Sequence, residues 1–146
     1  RDINERKELE RSLSFLIKTH NAEHIITLDA LKSLPYEAFD AVLDTSVTEP
    51  EQIRLTGVQV KDILQTYDII DVDNIKTLEF KALDSYASAV TKEEMMLDEN
   101  VYICFELNGE PLKTKTEGGM GPFLMIINSS RFSQRWCKYL MEIDLK

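Results

Sequence analysis

The 146-residue chain predicts an α+β domain, with a mixed β-sheet carrying short helices. Three observations predict it. Most apolar residues recur at every second position, as half-buried strands require. The stretches with helical spacing are short and bounded by caps or by Pro. Strands and helices follow one another in irregular order, without the regular alternation of a parallel α/β sheet.

"RDINERKELER" carries four basic and four acidic residues and almost no apolar content. It reads as a leader or arm over residues 1–12, with a single domain over residues 13–146. "SLSFLIK" places Leu13, Phe15 and Ile17 on one strand face. "TLDALKSLP" reads as a short helix capped by Thr27 and stopped by Pro35. "AFDAVLDTS" alternates again through Phe39, Ala41 and Leu43. In "LTGVQVKDILQTYDI", Val60, Ile63, Leu64 and Tyr67 take the spacing of an amphipathic helix, and Gly57 permits a tight approach to it.

"KTLEFKAL" is a strand with Leu78, Phe80 and Ala82 facing one way, and a turn at Asp84-Ser85 leads into "YASAV". "TKEEMML" predicts a capping box between Thr91 and Glu94. "NVYICFEL" is a strand that Asn108-Gly109 turns back as a hairpin, because a type I′ turn needs two residues tolerant of positive φ. "TEGGMGP" reads as the bend that starts the strand "GPFLMIIN", whose apolar run predicts burial on both faces. "CKYLMEIDL" closes the chain, alternating Cys137, Tyr139, Met141, Ile143 and Leu145 against Lys138, Glu142 and Asp144.

Hydrophobic residues make up 43% and charged residues 29%, a globular composition with no run long enough to span a bilayer. The net charge of -9 argues against nucleic-acid binding, which needs clustered cations. Acids gather at Asp68, Asp71, Asp73 and Glu79. "RFSQRWCK" is the exception, with Arg131, Arg135 and Lys138 and no acid among them. Such a segment suits a small anion better than a polymer, or is three solvated surface cations.

His20 and His24 are four apart, but "THNAEHIITL" lacks a helical pattern and offers no third metal ligand. "TEGGMGP" lacks the Gly-Lys-Ser/Thr of a phosphate loop and the spacing of a dinucleotide site. The serines lack a nucleophile elbow. Cys104 and Cys137 lie in strand-like segments and read as buried thiols; a disulfide between neighbouring strands is the alternative in an exported protein. Asp84 and Tyr86 follow a strand at a turn, where side chains line pockets. An Asx turn and an aromatic core anchor is the competing account of the two.

In order, "LTGVQVKDIL", "FKALDSYASAVTKEEM", "VYICFELNGEPL", "GGMGPFLMII" and "RFSQRWCKYLMEIDL" resemble the molybdopterin-binding domain of the sulfite-oxidase superfamily, from about Thr27 onward. The resemblance implies that α+β fold, a pterin cofactor with a phosphate tail, and molybdenum held by a loop cysteine. Lys138 matches the family's lysine; Arg131 and Arg135 lie in the same stretch. Family membership also implies an oxidoreductase, and favours an extracytoplasmic or cell-surface location.

The departures matter as much. The loop "LDTSVTEPEQIRLTG" contains no cysteine and offers only Asp44, Thr45, Ser46 and Thr48. A hydroxyl is a poor replacement for a soft thiolate. Leu55 and Thr56 stand where relatives carry tryptophan ahead of Gly57, and Leu124 stands where many carry arginine. The expectation is therefore a binding module without redox chemistry and without molybdenum. It would hold molybdopterin, another pterin or another small anion near Asp84, Tyr86, Arg131, Arg135 and Lys138. The alternative is a structural or protein-interaction domain whose pocket is filled by Leu55 and Leu124. An active molybdenum oxidoreductase with an unusual ligand set is a third reading, which the missing thiolate argues against.

Overall fold

The structure is a computed structural model that describes residues 13–45, 47–69, 74–130 and 133–146. The leader expected over residues 1–12 lies outside them, as do Ser46, Asp71, Asp73 and Arg131.

Two sheets form. The first is ordered β2 (Glu23–Thr27), β1 (Ser14–Lys18), β10 (Leu140–Leu145), β5 (Thr77–Ala82) and β6 (Ala87–Thr91). The second is ordered β3 (Glu37–Leu43), β4 (Glu51–Gln59), β7 (Val101–Leu107) and β8 (Glu110–Pro111), with β9 (Leu124–Ile127) also paired to β7. β1 and β10 run parallel, and the other strand pairs are antiparallel. The α+β class stands, with the mixed pairing confined to the first sheet.

The first core lies between the sheets. Phe15, Ile17, Leu78, Phe80 and Ile143 pack there against Ile103, Phe105 and Met125. Phe15 and Phe123 meet edge to face at 5.0 Å. A second core covers the opposite face of the second sheet, with Leu55, Tyr102, Cys104, Leu124 and Trp136. Strand β7 feeds both: Val101, Ile103 and Phe105 point to the first core, Tyr102 and Cys104 to the second. β9 is buried on both faces in the same way. Cys104 belongs to the second core and Cys137 to the first, so a sheet separates the two thiols and both are free.

The short helices are α1 (Leu28–Lys32), α2 (Val60–Thr66) and α3 (Lys92–Met96). Thr27 caps α1, its Oγ1 accepting from the Ala30 N–H at 3.1 Å. Thr91 and Glu94 form the capping box of α3. Three local expectations change. Tyr67 falls one residue beyond α2 and is exposed rather than packed. Gly57 lies inside β4 opposite Cys104, where a Cβ would come within 2.5 Å of the Ile103 carbonyl oxygen. It is needed for that close approach between strands, not for the start of the helix. In keeping with the absent helical pattern, His24 sits in β2 facing Ile17 across the ladder and shares no helix face with His20.

The third change concerns the last strand. β10 begins only at Leu140, and its register against β5 shifts between Leu140 and Glu142. A bulge of this kind reverses the in-out phase. Leu140, Ile143 and Leu145 therefore face the core, while Met141 is 49% exposed. Cys137 does not belong to this strand. It bridges to Met125 of β9, with N–H···O distances of 3.0 and 2.9 Å. The segment passes from the second sheet to the first across Lys138 and Tyr139.

Candidate functional site

That crossing opens a cleft of about 270 Å³ at the boundary between the sheets. Leu43 reaches it from the end of β3 and Thr45 from the loop that follows, and Asp84 and Tyr86 from the β5–β6 turn. Ser133, Gln134, Trp136 and Lys138 complete it from the segment ahead of β10.

Local chemistry fixes each wall. Asp84 Oδ1 accepts from the Tyr86 N–H at 3.2 Å, and Ser85 between them takes a φ of 72°. The Asx turn therefore forms, yet Tyr86 is not a core anchor: the residue is 42% exposed and its hydroxyl donates to the Gln134 carbonyl. The one-turn 3₁₀ segment Ser133–Arg135 is held from both sides. On the second-sheet side, the Asp44 N–H donates to Ser133 Oγ and the Ser133 N–H to the Asp44 carbonyl, both at 2.8 Å. Gln134 Nε2 donates to the Thr45 carbonyl at 2.8 Å. On the first-sheet side, Ser88 Oγ donates to the Arg135 carbonyl at 2.6 Å.

The cationic cluster read from the sequence divides. Lys138 lines the cleft, and its ammonium has no ion pair or hydrogen bond among the described residues. Arg135 is turned away, bonded to both carboxylate oxygens of Glu94 at 2.7 and 2.9 Å and to the Ala89 carbonyl at 3.0 Å. Arg135 hydrogen bonding, aided by the Thr91 N–H, holds the Glu94 carboxyl at about 2. Arg131 lies outside the described residues. The structure thus brings Asp84, Tyr86 and Lys138 together and commits Arg135 elsewhere. Ser133 and Gln134 escaped the sequence reading, which took only charges from "RFSQRWCK"; two amide- and hydroxyl-bearing residues between the arginines were the available signal.

A second cleft, of about 620 Å³, lies beside the first, under the β7–β8 hairpin and the Gly118–Met120 bend. Leu43 and Lys138 line both.

The fold is thus two β layers with short helices and a cleft at the sheet boundary. The chain belongs to the oxidoreductase molybdopterin binding domain family, whose model matches residues 6–146. Among solved structures it is similar to the sulfane dehydrogenase SoxCD from Paracoccus pantotrophus, with a TM-score of 0.75 and 14% identity over 93% of this chain. At that identity the likeness shows the fold alone, and the chain spans 38% of the length of the chain it matches. No curated protein matches the sequence.

The donor set does not fit molybdenum held by a thiolate. The loop between β3 and β4 has no cysteine. Burial removes both thiols from the cleft's surface and pushes the Cys137 thiol up to about 12 and the Cys104 thiol up as well. Among the described residues, no group of three His, Cys, Asp or Glu is placed to hold a metal. No helix of the described residues is long and apolar enough to cross a membrane.

Proposed function

We propose that this chain is a non-catalytic binding domain whose cleft holds a pterin or another small anion without molybdenum chemistry. One observation carries the reading: Asp84, Tyr86 and Lys138 converge on a cleft that no thiol reaches. An ammonium with no partner is a ready donor to an anionic oxygen. The carboxylate of Asp84 accepts N–H groups from the edge of a heterocycle. The half-exposed Tyr86 ring offers a flat apolar face. The filled-pocket alternative has less support, because the cleft at Asp84, Tyr86 and Lys138 stays open although Leu55 and Leu124 are buried in the second core.

The test is to produce the protein in a host that makes molybdopterin and to assay molybdenum and fluorescent oxidised pterin after purification. A molybdenum-loaded relative is purified in parallel. Pterin or phosphate binding without metal, lost in Lys138→Ala, is the expected result. Stoichiometric molybdenum overturns the proposal. Anion binding unchanged by Lys138→Ala overturns the site.

A further inference from the structure

The proposal above leaves the larger cleft unused. Its floor is apolar: Leu43, Leu107 and Met120 are partly buried side chains packed against the second core, with Leu112 beside them. Glu110 and Lys113 stand on its walls. Leu43 and Lys138 line both clefts, so the two adjoin there as lobes of one grooved face, with Lys138 between them at the waist.

The charges along this groove are balanced. Its described ionisable linings are the carboxylates of Asp84 and Glu110 and the ammoniums of Lys113 and Lys138. A polyanion approaching Lys138 meets carboxylates at both ends. A single negative charge meets an ammonium that is unpaired among the described residues, while Asp84 Oδ1 already accepts from the Tyr86 N–H. Beyond the waist Leu107, Leu112 and Met120 give a hydrocarbon an apolar floor, while Asn108, Glu110 and Lys113 keep the polar groups on the walls.

We infer that the groove takes an elongated amphipathic monoanion, with a carboxylate head on Lys138 and an apolar tail along Leu107 and Met120. This rests on the reading of the Lys138 cleft as a small-anion site, adds the second lobe, and within that reading favours a singly charged ligand over a phosphate-bearing pterin. A fully buried methylene tightens binding about fourfold. In an open groove the gain is roughly two- to threefold per methylene until the lobe is filled.

Trp136, the chain's single tryptophan, lines the first lobe and reports occupancy by its emission. The titration uses straight-chain carboxylates from hexanoate to dodecanoate below their micellar concentrations, with dodecyl phosphate as the dianionic control. Expected are one saturable site, affinity rising with chain length, and dodecyl phosphate binding no tighter than dodecanoate. Lys138→Met should weaken hexanoate and dodecanoate alike, by about tenfold. Met120→Glu should weaken dodecanoate by about tenfold and leave hexanoate within about twofold. Melting curves establish that both variants fold. Affinity independent of chain length, no saturable response, tighter binding of the phosphate, or an inert Met120→Glu each overturns the inference. Hexanoate binding that needs Lys138 but gains nothing from a longer tail removes the second lobe and leaves the small-anion reading intact. Length dependence indifferent to Lys138 removes both.

Discussion

Replacing Glu94 with glutamine tests how the cleft wall is fastened. The Glu94 carboxylate takes Arg135 on both oxygens, at 2.7 and 2.9 Å, and Oε1 also accepts from the Thr91 N–H at 3.1 Å. Arg135 is the main reason the acid sits at about 2, against 4.5 for an ordinary glutamate. Taken whole, that difference is worth about 3 kcal/mol. Arg135 is 40% exposed, so solvent screens the pair and the contribution falls to about 1–2 kcal/mol. The folded acid is the stronger one, so the stabilisation is complete above about pH 4.5 and is lost as the pH falls towards 2. At pH 7, Glu94→Gln should lower Tm by roughly 3–6 °C. Far-UV circular dichroism melts of both proteins at pH 7, 5, 3.5 and 2.5 give the comparison. The gap should close through the acid range. A gap of equal size at pH 7 and 2.5, or none at pH 7, refutes the reasoning. A double-mutant cycle with Arg135→Ala isolates the pair itself.

Gly57→Ala should cost about 1–3 kcal/mol or more, because the new methyl meets the Ile103 carbonyl oxygen at 2.5 Å and Cys104 Cα at 2.8 Å; a melt within 1 °C of the parent protein would contradict the close approach. Neither Cys104 nor Cys137 should react with a thiol reagent at pH 8 in the folded protein, and both should react in urea, since burial keeps each protonated and inaccessible. Rapid labelling of either thiol under native conditions would count against the two-core packing. Phe123→Ala should cost about 3–5 kcal/mol, as the ring is fully buried and packs edge to face on Phe15. Denaturant unfolding measures it, and a loss below about 1 kcal/mol would show that the sheets do not meet there.

Much of the fold was legible where a local pattern carried its own explanation. Thr27, the Thr91–Glu94 box and the Asn108-Gly109 turn are each decided by hydrogen bonds or φ angles within four residues. The alternation in β1 and β5 was equally plain, since each faces one core. What stayed hidden depends on distant partners. Gly57 looked like a helix signal because Cys104, which it must approach, is far along the chain. The bulge at Leu140–Glu142 leaves no local mark, yet it turns Met141 outward. At the site, Asp84, Tyr86 and Lys138 were legible through the family resemblance and share a cleft. Arg135 could not be separated from them, because charge alone does not reveal that Glu94 has already claimed it.

Lys138 stands where one stretch of backbone changes allegiance, bonded to β9 at Cys137 and to the first sheet from Leu140 onward. Tyr139 makes the bend with a φ of 54°, and its N–H donates to the Met120 carbonyl at 2.9 Å. The two layers are therefore stitched together at the mouth of the groove as well as by the core between them. Sliding of one layer over the other would drag the ammonium and reshape both lobes at once. An occupant touching both lobes would resist that sliding, so occupancy should slow amide exchange along β9 and β10, some of it at positions the ligand never contacts.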